Sequence, residues 1–135
     1  MGEFWKDADE VVKAVTGMMG KVSKDEELVT KYGKANKLIL YTYTDPDVQL
    51  WLDARGKFEY GAGDPPGKPD LHLTLSADDG HRAWAEKLNV VMAISRKKFK
   101  VEGSITTMMS LAPLQKRFTA AYLETLKEMG REDLL

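Results

Sequence analysis

Val11, Val12, Val15, Met18, Met19 and Val22 recur at intervals of three and four. That spacing predicts a helix with one buried face. Asp7 and Glu10 precede it as a capping box, in which the two side chains satisfy the first free N–H groups. Gly17 and Gly20 weaken the helix toward its end. Ser23 with Glu26 repeats the capping pattern and predicts a short second helix through Leu28, Val29 and Tyr32, closed by Gly33.

The period then changes. Leu38–Thr44 (LILYTYT) is β-branched and aromatic, and Asp45-Pro46-Asp47 turns the chain into Val48–Asp53. Arg55-Gly56 turns it again into a short strand from Lys57 to Tyr60, and such brief links predict antiparallel pairing. Residues 61–69 (GAGDPPGKP) form a loop. Leu71–Ser76 alternates strictly, with its leucines on one face. Ser76 and Asp79 cap a helix carrying Ala83, Trp84 and Leu88, and a further short helix follows from Asn89 to Ser95. Lys98–Glu102 alternates again, Phe99 and Val101 pointing one way and Lys98, Lys100 and Glu102 the other. Ser104 caps a helix through Met109. Pro113 suits the first turn of a last helix, whose broad face holds Leu114, Phe118, Ala121, Tyr122, Thr125, Leu126 and Met129 before Gly130 stops it. The order predicts an α+β domain over residues 1–135 with one sheet.

Composition narrows the chemistry. A chain of 135 residues can bury a core without staples. It has no cysteine, which removes disulfides, thiolate metal sites and cysteine nucleophiles. Twenty basic and twenty-one acidic side chains leave a net charge of −1, so bulk charge points to no nucleic-acid partner. No apolar run reaches the roughly 20 residues that span a bilayer. The start MGEFWKDADE lacks the order of a secretory signal and carries Lys6 where a myristoylation motif needs Ser or Thr. REDLL is not a peroxisomal or endoplasmic-reticulum address. The expectation is a soluble, cytoplasmic protein.

No catalytic constellation stands out. His72 and His81 lack the close helical spacing of a metal pair and read as surface or lightly packed residues. Asp45/Asp47, Asp78/Asp79 and Glu26/Glu27 sit at turns or helix starts, where acids are expected for capping. A nucleophile elbow, a P-loop and a dinucleotide fingerprint are all absent. Arg96-Lys97-Lys98 with Lys100 reads either as a solvated strand edge protected from pairing or as a patch that attracts anionic lipid. Seven methionines could supply adaptable apolar surface, but the residues by themselves read as core filler.

Residues 89–111, NVVMAISRKKFKVEGSITTMMSL, resemble the sterol carrier protein 2 family. Its signature is a short helix, a strand of the form basic–apolar–Lys–Val/Ile–x–Gly, and another helix; Lys98-Phe99-Lys100-Val101-Glu102-Gly103 matches the strand. The leading helix, the hairpin from Leu50 to Gly56, and Asp70–Ser76 agree in order. Lys97 replaces a frequent glycine, Val90 replaces a proline, and the peroxisomal tail of mammalian members is missing.

The resemblance implies a single five-stranded, mainly antiparallel sheet covered by helices on one side, with an apolar tunnel between sheet and C-terminal helices. It implies no metal and no cofactor. Trp51, Trp84 and Met92 are candidate ligand-binding residues, with Phe99 and Val101 on the basic strand facing the tunnel. Met108, Met109, Leu111, Leu114, Phe118 and Tyr122 would form a movable lid. The implied function is non-catalytic: holding a fatty acyl, acyl-CoA, phospholipid or sterol-like ligand, with transient contact at a membrane surface, as a monomer or homodimer. The alternative is an interaction or dimerisation module whose groove is filled by its own C-terminal helix or a partner chain. A small enzyme using His72, His81 or Tyr122 ranks third.

Overall fold

The computed structural model describes residues 2–135; Met1 lies outside the described residues. Two helices, α1 (Ala8–Val22) and α2 (Glu26–Ala35), lead into strands β1 (Leu38–Thr44), β2 (Val48–Asp53), β3 (Glu59–Ala62) and β4 (Leu71–Ser76). Helices α3 (Ala77–Trp84) and α4 (Val90–Ser95), strand β5 (Lys100–Gly103), helix α5 (Ile105–Leu111), a 3-10 turn (Ala112–Leu114) and helix α6 (Gln115–Glu128) follow. The sheet order is β3-β2-β1-β4-β5. Only β1 and β4 pair in parallel, because the chain from β3 crosses over before it returns beside β1. The expected α+β architecture, with a five-stranded and mainly antiparallel sheet, is the one observed.

Local signals act largely as the pattern predicts. The Glu10 amide donates to Asp7 Oδ1 at 2.9 Å, the Asp79 amide to Ser76 Oγ at 3.0 Å, and the Thr107 amide to Ser104 Oγ at 3.1 Å. The second helix differs from expectation. Asp25, not Ser23, receives the first-turn amide of Leu28, while the Ser23 hydroxyl turns back to the Gly20 carbonyl at 2.6 Å. Gly33 lies inside α2, which ends at Asn36 in a left-handed conformation, φ 53°.

Strand β3 starts two residues later than predicted and takes in Gly61. Gly61 pairs with Trp51, and a Cβ there would stand 2.7 Å from the Trp51 ring. The indole lies over a strand position that only glycine leaves free. Strand β5 also starts late. The Lys98 amide bonds back to the Ala93 carbonyl at 2.9 Å and Lys97 has φ 60°, so residues 96–99 wrap the end of α4 before pairing begins.

Strand parity divides the sheet. Ile39, Tyr41, Tyr43, Leu50, Leu52, Leu71 and Leu75 are buried on the inner face with the helices. Helix α1 buries Val11, Ala14, Val15, Met18, Met19 and Val22 and packs along α6 and over the β2–β3 half. Helix α3 covers β1 and β4 instead.

The chain ends are tied to α3. The Trp5 indole donates to the Ala77 carbonyl at 3.0 Å, the Glu3 amide to Asp78 at 2.7 Å, and Arg131 joins the Phe4 carbonyl, Glu10 and Asp133. At their centre His81 is only 2% exposed, edge-on to Phe4 and Trp5, with Nδ1 in a 2.9 Å hydrogen bond with the Tyr122 hydroxyl. The expected surface histidine is therefore a core residue. Helix α3 turns its inner side toward α6, a placement no local pattern reports.

Burial, together with the Lys87 and Arg82 cations, pushes the His81 pKa down to about 4 from 6.5, against a smaller opposing pull from Asp78. Between those values the unfolded chain binds a proton that the folded chain refuses, so stability is full above pH 6.5 and is lost as pH falls toward 4. The carboxylates of Asp25, Glu27, Asp53 and Asp133 are all held below their ordinary values by hydrogen bonds and neighbouring cations, so they add a stability loss of the same sign at the acid end, which the His81 variant separates from that of the imidazole. Denaturant unfolding at stepped pH should lose about 2 kcal/mol across the window, after allowance for solvent screening. His81→Gln should flatten the slope; an unchanged slope would show that His81 does not carry it.

Candidate apolar binding site

Because α1 fills only the β2–β3 half of the inner face, a cavity of about 170 Å³ remains over the β1–β4 half. Its floor is the alternating positions Ile39, Tyr41 and Tyr43 of β1 and Leu71, Leu73 and Leu75 of β4. Gly80, Ala83 and Trp84 of α3 close one side and Tyr32 of α2 another. Val90 and Val91 of α4, Phe99, Met108, Met109 and Leu111 around α5, and Ala112 and Gln115 complete the wall. No lining residue carries a charge. The space is many times what one water needs, and its apolar lining would keep isolated waters poorly satisfied.

Polar atoms in this wall fall into two groups. The Trp84 indole donates to the Tyr43 hydroxyl at 2.9 Å and the Gln115 amide to the Ala83 carbonyl at 3.3 Å, so both side chains are held within the protein. The hydroxyls of Tyr32 and Tyr41 make no hydrogen bond among the described residues. Neither is a sealed orphan, since the Trp51 indole nitrogen alone has that status there. Both residues belong to the cavity lining. Burial raises the pKa of both phenols, so they stay protonated and neutral.

Of the eleven candidate residues, Trp84, Phe99, Met108, Met109 and Leu111 line the cavity. The other six are placed elsewhere. Trp51 stands on the opposite face of the sheet, because Leu50 and Leu52 on either side of it point into the core. Met92 is 47% exposed on α4, where Val90 and Val91, not Met92, line the cavity. Val101 shares the inner face with its partner Leu73 at the sheet edge, beyond the cavity wall.

Leu114, Phe118 and Tyr122 are not part of a lid. They are 4%, 1% and 0% exposed, and Phe118 stacks on Tyr32 and Trp84 at ring separations of 5.5 and 5.6 Å. The 3-10 turn at Pro113 redirects the chain, so α6 reaches the wall only with its first residue, Gln115. No residue beyond Gln115 lines the cavity, so the C-terminal helix does not fill it.

The residues missed at first carried a signal. Ile39/Tyr41/Tyr43 and Leu71/Leu73/Leu75 alternate, and β1 and β4 pair with Tyr41 opposite Leu73. Periodicity marks such positions as buried; whether helix or empty space faces them is a tertiary matter.

His72 lies on the outer sheet face, its Nε2 2.7 Å from the Thr42 hydroxyl, apart from His81 and Tyr122. Among the described residues no group of three or more His, Cys, Asp or Glu side chains is placed to hold a metal ion. No helix is long and apolar enough to cross a membrane.

Solved structures share this architecture. Sterol carrier protein 2 from Yarrowia lipolytica, in its apo form, is 21% identical; the match covers 90% of this chain and 96% of that one with a TM-score of 0.63. The sterol carrier protein domain 2 of Helicoverpa armigera is also 21% identical, over 86% of this chain and 96% of that one, TM-score 0.63. Sterol carrier protein-2 of Aedes aegypti, solved in complex with palmitate, is 16% identical over 70% of this chain and 96% of that one, TM-score 0.51. At these identities the likeness is one of fold. No curated protein matches the sequence. The family model of the SCP-2 sterol transfer family matches residues 15–116, which span the sheet and every residue of the cavity wall, and the chain belongs to that family.

Proposed function

We propose that this protein is a non-catalytic carrier that shields the apolar part of a lipid in the cavity between β1, β4 and helices α3–α5. The observation that carries this reading is the wall itself, predominantly apolar and without a charged residue. The palmitate held by the Aedes aegypti relative supports the same ligand class. Burying a sixteen-carbon chain from water gains about 12 kcal/mol at roughly 0.8 per methylene. A bilayer offers the same lipid nearly the same gain, so the net preference is small and reversible loading follows. Discrimination then falls to polar groups.

Two sets are available. A polar groove beside the mouth carries Glu86, Lys87, Asn89 and Lys116 and shares Val90, Val91 and Gln115 with the cavity wall; a charged headgroup fits there and not inside. The free Tyr32 and Tyr41 hydroxyls suit a neutral hydroxyl or carbonyl on the buried portion of the ligand.

Native mass spectrometry of freshly purified protein, with solvent extraction of whatever is released, tests the reading. Bound lipid is expected. A clean apo mass that survives incubation with fatty acids, acyl-CoA and sterols would transfer the assignment to an interaction module. For ligands bearing a buried hydroxyl or carbonyl, Tyr41→Phe should weaken binding about five-fold, one neutral hydrogen bond's worth, and leave plain saturated chains unaffected. Equal effects on both ligand types would remove Tyr41 from the recognition argument.

A further inference from the structure

We propose that the rim of the cavity formed by α4 and α5 is a docking surface for an anionic lipid bilayer. Val91, Met92, Ile105 and Met109 are each 46–49% exposed, and among the described residues Leu135 is the only other large hydrophobic side chain so exposed. Ile105 and Met109 lie one turn apart on α5. Val91 and Met109 also line the cavity, so the exposed apolar surface runs directly into the mouth. Scattered apolar residues need no explanation, but a cluster of this kind at an opening marks an interaction surface.

Charge selects the occupant. From Lys87 to Leu123 the chain has seven Lys and Arg residues and one carboxylate, Glu102, within a protein of net charge −1. Lys100 pairs with Glu102 at 3.4 Å, and Arg117 is engaged by Asp25 and Glu27. Arg96, Lys97 and Lys98 directly follow α4, are exposed, and form no ion pair among the described residues. Apolar side chains flanked by free cations match the interfacial layer of a bilayer, with methionines at the acyl boundary and cations among the phosphates. A second copy docked through the same patch about a two-fold axis would set these cations against each other. Docked on a bilayer, the rim sets the mouth against the lipid.

The proposal goes beyond the carrier reading and is tested without a ligand. Protein freed of lipid is sedimented with vesicles of phosphatidylcholine alone or with about 30 mol% phosphatidylserine, where each basic residue near the surface is worth about five-fold in partitioning. Binding should favour the anionic vesicles and fall with added salt. The double variant R96Q/K98Q should lose about 25-fold at the same per-residue value. I105S/M109S should weaken binding while keeping its salt dependence. All four side chains are exposed, so unchanged melting temperatures establish that the variants are folded. Equal binding to neutral and anionic vesicles, binding to neither, or variants that bind like the parent would overturn the proposal. So would a solution dimer that I105S/M109S splits, which assigns the patch to a second copy. Ligand loading by native mass spectrometry is read separately, so failure to dock and failure to carry give different results.

Discussion

Phe118→Ala is expected to destabilise the protein by about 3–5 kcal/mol, a large share of the roughly 5–15 kcal/mol that holds a domain of this size. The ring is 1% exposed and bridges three elements: its own α6, Tyr32 on α2 and Trp84 on α3. Truncation removes its transfer energy and leaves a void that helices anchored elsewhere can only partly close. A drop in urea midpoint with an unchanged slope is the expected reading. The effect also reaches the binding site. Trp84 and Tyr32 line the cavity on their other sides, and both rings can relax into the new space. Phe118→Leu keeps most of the volume and should cost under about 1.5 kcal/mol, which preserves a folded comparison if the alanine variant does not fold. A loss below 1 kcal/mol for the alanine variant would mean that α6 does not brace the wall.

Gly103→Ala is expected to cost about 2–5 kcal/mol, by combining two faults at one residue. Gly103 has φ +110°, a conformation that L side chains rarely adopt. A Cβ there would stand 2.2 Å from the Asp70 carbonyl oxygen and 3.1 Å from Leu71 Cα. Both obstacles are backbone, and Asp70 is itself fixed to β1: its amide donates to the Leu38 carbonyl at 2.8 Å and its carboxylate accepts the Leu38 amide at 2.9 Å. The strain therefore falls on β5, the edge strand, which has one partner to lose. Hydrogen exchange should speed up at the β4–β5 pairs, from Leu71 opposite Gly103 to Thr74 opposite Lys100. Phe99, just before β5, forms part of the cavity wall, so lipid loading should fall further than the melting temperature alone would suggest. Wild-type protection across β4 and β5 in the variant would sink the argument.

Much of this architecture is legible along the chain because it is local. The three-and-four spacing of α1, the caps at Asp7, Ser76 and Ser104, and the alternation of Leu71–Ser76 each concern groups within one turn or one strand. The motif Lys98–Gly103 was legible in another way, as a resemblance, and it located the Phe99 wall and the Met108–Leu111 segment. Errors cluster where two local choices compete. Ser23 and Asp25 can each cap α2, and Asp25 also gains an ion pair with Arg117 from α6 at 3.0 Å, a long-range partner that no local rule counts. Trp51, a ligand-binding candidate from the resemblance, stands on the outer face because strand parity with Leu50 and Leu52 sends it there.

By itself the sequence determined which segments are helix and strand, which faces are apolar, and through its basic strand motif which family the chain resembles. These properties repeat with the period of the backbone and need no distant partner. Only the tertiary structure decided that α1 covers one half of the inner sheet face and leaves the other half open. It alone placed His81 in the core against Tyr122, set Tyr32 and Tyr41 in the cavity wall, and left Val91, Met92, Ile105 and Met109 exposed on α4 and α5. The reason is physical: an apolar position reports that it avoids water, whereas a cavity is the place where two surfaces, both avoiding water, fail to meet.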